Sequence, residues 1–131
     1  TGAGPAEEHQ AFQRIKSLGD LERALETASA EKRPVMLDVY ADWCVECIRM
    51  ERNTFPEPQV QAEFERFDLL QADVTANDDL DQELMKAFGI IGPPAILFFD
   101  SDGREMKAYR LVGYFEGEEF AAHLQKVLVA Q

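Results

Sequence analysis

The chain has two cysteines, Cys44 and Cys47, separated by two residues. A structural zinc site needs four ligands and an iron–sulfur cluster needs more thiolates, but His9 and His123 lie far from the pair. A c-type haem site needs a histidine after the second cysteine, where this chain has Ile48. A disulfide across so short a loop would also stabilise the fold little. The pattern therefore predicts a redox-active dithiol.

The segments around the pair predict a junction between a strand and a helix. Residues 35–40 are almost continuously apolar, as in a strand buried on both faces, and residues 45–54 predict a helix. Cys44 then lies at the helix N-terminus, where free N–H groups and the helix dipole stabilise a thiolate. We predict that Cys44 attacks a substrate disulfide. Cys47, one turn further on and more buried, is predicted to resolve the mixed disulfide.

Two carboxylic acids are predicted to approach the dithiol from beneath. Asp38 interrupts an apolar strand, and a buried carboxylate is costly unless it is hydrogen-bonded, neutral or functional. Glu51 stands four residues after Cys47 and so shares its helix face. Burial would raise the pKa of both acids, which could then pass protons to and from the Cys47 sulfur. The alternative interpretation of Glu51 is an ordinary solvated side chain.

Three further residues are candidates for contact with substrate. Trp43 precedes the nucleophile and would shape the contact surface, although a tryptophan here also suits the core. Pro93 and Pro94 stand between a predicted helix and a buried strand. Taken alone, this segment is equally typical of a plain turn, because only about 5–6% of X-Pro bonds in folded proteins are cis.

Strands and helices alternate along the whole chain. Periodicity and turn signals predict strands at residues 12–16, 35–40, 67–74, 95–99 and 106–112 and helices at 21–28, 45–54, 59–64, 80–88 and 120–128. Asp20 is the predicted N-cap of the first helix, and Asp102-Gly103 is the predicted turn of a closing hairpin. This order predicts an α/β fold with a central mixed β-sheet flanked by helices on both faces.

Length and charge limit the classes of function. The 131 residues suit one domain; residues 1–11 predict a linker or a remnant of the expressed sequence, and residues 12–131 the folded domain. The 25 acids and 13 bases give a formal charge of −12, which would repel nucleic acid. No stretch approaches the roughly 18 apolar residues that a membrane span requires.

Several of these segments resemble the thioredoxin superfamily, over about residues 12–130. They are VYADWC at 39–44, Cys47, GIIGPPA at 89–95 and VG at 112–113. The resemblance implies the thioredoxin fold for residues 12–131. It also implies that Pro94 is a cis-proline beside the active-site cysteines, and that its loop binds the substrate backbone.

A more specific resemblance is to the C-terminal periplasmic domains of the DsbD family, which are bacterial transmembrane thiol:disulfide interchange proteins. It is carried by residues 34–45, 53–55, 58–60, 70–78 and 96–100, and VTAND at 74–78 is not a general thioredoxin feature. It implies a periplasmic reductant domain that takes electrons from the membrane-embedded domain of its own protein. The domain passes them to the N-terminal periplasmic domain, for disulfide isomerases and cytochrome c maturation.

The same resemblance implies that the carboxyls of Asp38 and Glu51 tune the first cysteine. We expect a monomer with no cofactor beyond the Cys44–Cys47 disulfide. Glu46 lies inside the motif and adds negative charge near Cys44, so we predict that Cys44 is less acidic than a typical thioredoxin nucleophile. Two alternatives remain open: a free-standing thioredoxin-like reductase of broader substrates, and a non-catalytic binding module with an incidental cysteine pair.

Overall fold

The computed structural model describes residues 11–131, so all of the predicted linker except Ala11 lies outside the described residues. The strands are β1 (Gln13–Ile15), β2 (Val35–Tyr40), β3 (Asp68–Asp73) and β4 (Ala95–Phe99). The helices are α1 (Leu18–Ala30), α2 (Val45–Arg49), α3 (Pro58–Phe64), α4 (Asp79–Ala87) and α5 (Gly117–Val129). A π-helical turn, Met50–Thr54, follows α2 directly. None of the helices in this part of the chain is long and apolar enough to cross a membrane.

The four strands form one mixed sheet in the order β1-β3-β2-β4. Strand β3 is parallel to both of its neighbours, and β4 is antiparallel to β2. The register pairs Arg14 of β1 with Gln71 of β3, Gln71 with Asp38 of β2, and Asp38 with Ile96 of β4. These four residues therefore form a single row across the sheet, three of them polar.

Helices cover both faces of the sheet, because successive side chains of a strand point to opposite sides. Val35, Leu37 and Val39 belong to one core, with residues of α1 and α4. Met36 belongs to the other core, with residues of α3 and α5. The predicted α/β fold with a mixed sheet between two helical layers is confirmed. Asp38, two residues after Met36, extends toward the α3 and α5 side.

The predicted fifth strand, residues 106–112, is wrong. The chain does return antiparallel to β4, but only through two isolated pairs, Phe99 with Glu105 and Ile96 with Leu111. The two paired positions are three residues apart on β4 but six residues apart on the returning segment. The excess residues leave the sheet as a short 3-10 turn, Lys107–Tyr109.

The N-terminus of α1 also differs from the prediction. Ser17, not Asp20, is the N-cap, and its hydroxyl accepts the N–H of Asp20 at 3.0 Å. The Asp20 carboxylate accepts the N–H of Ser17 at 3.1 Å in return. This reciprocal capping box satisfies two N–H groups that lack helical partners, so α1 begins three residues earlier than its apolar periodicity indicates.

Candidate active site

The two cysteines lie at the N-terminus of α2 and are joined by a disulfide, with 5.2 Å between their Cα atoms. Cys44 is the N-cap of α2, and its sulfur accepts the backbone N–H of Cys47 at 3.2 Å. The first turn of a helix carries N–H groups without helical partners. In the reduced protein the same donor would stabilise a thiolate on Cys44.

Both cysteines are almost completely buried, with 6% of Cys44 and 4% of Cys47 exposed. The sequence predicted a more buried Cys47; the difference has that direction but is too small to distinguish the two cysteines. Their surroundings do differ. The Cys44 sulfur faces a helix N–H, but the Cys47 sulfur lies 3.9 Å from the carbonyl oxygen of Val39. A carbonyl can accept a proton from a thiol and repels a thiolate, which favours a protonated Cys47.

Asp38 is buried in β2, next to Val39, whose carbonyl contacts Cys47. Burial raises the pKa of the Asp38 carboxyl from 3.8 to about 7, and the charge of Glu51 adds to the rise. The hydrogen bond from Gln71 and the charge of Arg14 act in the opposite direction but do not cancel it. An acid that titrates near neutral pH is suited to both accepting and donating a proton.

Gln71 is the residue of this site that the sequence reasoning missed. Its side chain is buried in β3, and its amide nitrogen donates to the carboxylates of Asp38 at 3.0 Å and Glu51 at 3.1 Å. These bonds use both amide hydrogens, while the amide oxygen accepts Nε–H of Arg14 at 2.7 Å. A polar residue in an apolar strand is the signal that could have found Gln71, as it found Asp38.

Glu51 reaches the amide of Gln71 from the π-helical turn, not from a regular helix that also carries Cys47. The regular helix predicted over residues 45–54 therefore ends at Arg49, and a π turn changes the angular spacing of the side chains beyond it. Glu51 is also exposed, not buried. The structure nevertheless brings the carboxyls of Glu51 and Asp38 to one donor. Between Ala11 and Gln131, no group of three or more His, Cys, Asp or Glu side chains could hold a metal ion.

Trp43 is 58% exposed, so it is not a core residue. Its indole N–H donates to the backbone oxygen of Thr75 at 3.1 Å, in the loop after β3. The Thr75 hydroxyl accepts the backbone N–H of Asp42 at 2.9 Å. The loop after β3 therefore holds the segment that precedes Cys44, and much of the indole faces solvent beside the disulfide.

The peptide bond between Pro93 and Pro94 is cis. Ala95, the next residue, pairs with Val39 at the end of β2, so the proline loop lies at the same end of the sheet as the cysteines. Beside this loop is a groove of about 240 Å³, formed by residues of 89–97 and 110–112, most of them apolar. Ile91 on this loop is fully exposed. An extended, partly apolar segment of a partner would fit such a surface.

Glu46, between the two cysteines, is paired with a cation. Its carboxylate accepts from the Arg49 guanidinium at 2.7 Å, one turn further along α2. The same guanidinium lies over the ring of Tyr114, with 3.9 Å between Cζ and the ring centroid. A neighbouring cation offsets part of the field of a carboxylate. The effect of Glu46 on Cys44 stays a prediction, and the pairing reduces its expected size.

The chain is similar to known proteins along most of its length. The Thioredoxin-like domain family matches residues 21–128. The thiol:disulfide interchange protein DsbD of Ralstonia nicotianae is 46% identical over 127 residues, which are 97% of this chain and 21% of that protein. DsbD of Cronobacter sakazakii is 48% identical over 120 residues, which are 92% of this chain and 21% of that protein. The chain thus spans about a fifth of the length of these relatives.

A solved structure is similar over almost all of its own length. It is the crystal structure of the C-terminal domain of DsbD from Neisseria meningitidis in the oxidised form. The TM-score is 0.74 and the sequence identity 35%, and the match covers 88% of this chain and 98% of that chain.

Proposed function

Because the chain belongs to the thioredoxin-like domain family, as a thiol:disulfide interchange domain of the DsbD C-terminal type, we propose that it is a protein-disulfide reductase. Its reducing group is the Cys44–Cys47 pair in the dithiol form, which carries two electrons without a further cofactor. The observation that carries this proposal is the placement of the pair: Cys44 caps α2, and the buried acid Asp38 lies next to the residue that contacts Cys47.

The reaction has two exchange steps. In the first, the Cys44 thiolate attacks one sulfur of a substrate disulfide, so that a mixed disulfide forms and the other substrate sulfur leaves as a thiolate. In the second, Cys47 loses its proton and attacks the Cys44 sulfur, which forms the Cys44–Cys47 disulfide and releases the second substrate sulfur. Two electrons pass to the substrate; the dithiol gives up two protons in all, and the two substrate thiolates take up two protons from solvent.

The carboxyl pair serves the second step. Asp38 has a pKa of about 7, so near neutral pH a large share of it is ionised and able to take the Cys47 proton. Glu51 is exposed and held on the same amide as Asp38, so it lies between the buried acid and the solvent. The proton thus leaves a buried thiol by way of a buried acid and an exposed one.

The substrate binds around the two cysteines, on Trp43 at one side and on the loop of Pro93 and Pro94 at the other. Trp43 offers an exposed ring that the loop after β3 holds in place. The proline loop offers backbone groups beside an apolar groove. Both features suit an extended segment of a partner that carries the disulfide to be reduced.

The partners that we propose are other domains of the same full-length protein. The chain covers only 21% of its DsbD relatives, which leaves room in such a protein for a membrane-embedded domain and an N-terminal domain. This domain, as a periplasmic monomer, takes electrons from the membrane-embedded domain and delivers them to the N-terminal periplasmic domain. Disulfide isomerases and cytochrome c maturation are the expected recipients downstream.

The first test is the reduction potential of the pair, measured in dithiothreitol or glutathione buffers. The fluorescence of Trp43, the only tryptophan of the chain, reports the oxidation state. Known pairs span from about −270 mV in thioredoxin to about −120 mV in the strongest oxidants. We expect a value in the reducing half of this range. A value near the oxidising end would contradict a reductase.

The second test is a trap for the partner. In Cys47→Ser the second step cannot occur, so a mixed disulfide between Cys44 and the N-terminal domain of the same protein should accumulate. Cys44→Ser is the matched control, because it keeps one thiol but lacks the proposed nucleophile. Equal trapping by both variants would contradict the assignment of Cys44. A reducing couple without any trapping would instead favour a reductase of broader substrates.

A further inference from the structure

Arg14 lies on β1, the outermost strand on its side of the sheet, and is 30 positions before Cys44 in the sequence. Its Nε–H donates to the amide oxygen of Gln71, whose amide nitrogen holds both carboxyls of the redox site. We propose that Arg14 is a positioning residue for the redox chemistry, acting through Gln71 on Asp38 and Glu51. This inference rests on the proposed function of that carboxyl pair.

The hydrogen-bond directions show why Gln71 needs Arg14. The two ends of an amide differ, since the nitrogen only donates and the oxygen only accepts. With the nitrogen toward Asp38 and Glu51, both acceptors are satisfied. The reversed amide would place its oxygen against two carboxylates and its nitrogen against the guanidinium. Arg14, which can only donate, therefore selects the orientation that serves the carboxyl pair.

Arg14 is itself held in place by its neighbours. A terminal guanidinium nitrogen lies 3.2 Å from a carboxylate oxygen of Asp73, and Cζ lies 5.9 Å from the ring centroid of Tyr40. The side chain is nevertheless 60% exposed, so its replacement leaves no cavity in the core. A variant at this position should fold, and its effect can be measured in the native state.

The charges around Asp38 come from two elements. Glu51 on the π-helical turn raises the pKa of the Asp38 carboxyl, and Arg14 on β1 lowers it, beside the larger effects of burial and of the Gln71 hydrogen bond. The partner of Asp38 on β4 is Ile96, which carries no charge. Loss of Arg14 removes a cation that lowers the pKa of the Asp38 carboxyl, and it also loosens the Gln71 amide that donates to Asp38. Both changes favour the protonated acid.

The test is an NMR titration of the Asp38 carboxyl carbon in the oxidised domain, which requires no thiol chemistry. We expect Arg14→Met to raise the titration midpoint by about half a pKa unit, most of it from the loosened Gln71 hydrogen bond and the rest from the lost charge. Arg104→Met, at an exposed arginine in the turn after β4, is the matched control because it changes the net charge equally. Equal midpoints in the two variants would overturn the proposal.

A second comparison tests the route through Gln71. In a Gln71→Leu background, Arg14→Met should shift the Asp38 midpoint by less than half as much as in the native background, because the amide that couples them is absent. An undiminished shift would show that Arg14 acts only as a distant charge, which would overturn its positioning role. If Gln71→Leu does not fold, Arg14→Lys takes its place, because lysine keeps the charge but lacks the Nε–H that Gln71 accepts. A positioning role predicts that Arg14→Lys shifts the midpoint in the same direction as Arg14→Met, and an unchanged midpoint in Arg14→Lys would overturn it. Since no disulfide is exchanged, failure of the proposed reductase activity would not produce either result.

Discussion

Replacement of Asp38 by asparagine should stabilise the domain at high pH and change little at low pH. Burial raises the pKa of this carboxyl from 3.8 to about 7, so the folded protein binds more protons at this site than the unfolded chain. Stability must therefore fall as the pH rises from about 4 to about 7, and the full penalty applies above that range. The difference of about three units between the pKa of Asp38 in the unfolded and folded states corresponds to roughly 4 kcal/mol in the free energy of unfolding.

The assay is equilibrium urea unfolding of the oxidised protein at pH 4 and pH 9, followed by the fluorescence of Trp43. Asp38→Asn should gain about 4 kcal/mol in free energy of unfolding at pH 9 and close to nothing at pH 4. Asp42→Asn, at an exposed acid of the same segment, is the control and should gain little at either pH. A gain of equal size at both pH values, or none at pH 9, would refute the argument from burial.

Two further sites give independent predictions. Arg49→Met should raise the pKa of the Cys44 thiol, because Glu46 loses its cation, whereas Glu46→Gln should lower it; alkylation rates of the reduced protein against pH would measure both, and unchanged rates in Arg49→Met would show that the pairing is irrelevant. Asp81→Ala should cost about 1–2 kcal/mol in urea unfolding, because the buried carboxylate of Asp81 both binds Lys16 at 2.8 Å and completes the capping box of α4. A loss below about 0.5 kcal/mol in the free energy of unfolding would contradict a stabilising role of the Asp81 carboxylate.

The central strands and most helices could be predicted from the sequence, because their signals are local. Residues 95–99 are a continuous apolar run, and β4 has the same bounds. The returning segment after β4 has the composition of a strand. It does not form one because its two paired positions are six residues apart, whereas their partners on β4 are three apart. Composition does not show this difference. Periodicity also placed the start of α1 too late, since the capping box of Ser17 and Asp20 precedes the first buried residue of that helix, Leu21.

The residues of the candidate active site also differ in how far the sequence predicts them. Cys44, Cys47 and Asp38 could be singled out because each stands out against its own segment. Gln71 also stands out as a polar residue in an apolar strand, but its contacts with Arg14 and Asp38 could not be predicted, because they depend on the register of β1 against β3 and of β3 against β2. A slip of one residue in either pairing would turn one side chain to the other face of the sheet. Sequence spacing contains no information on that choice.

The buried charge of Asp38 affects the reduction potential of the cysteine pair as well as the stability of the domain. A stabilised thiolate on the first cysteine stabilises the reduced protein and makes the pair an oxidant. The N-terminus of α2 favours that thiolate, whereas the negative charges of Asp38 and Glu51 oppose it. The charge that lowers stability at high pH therefore also makes the dithiol a better reductant. Stability and reducing power should consequently move in opposite directions in Asp38→Asn, which would be the more stable protein with the less negative potential.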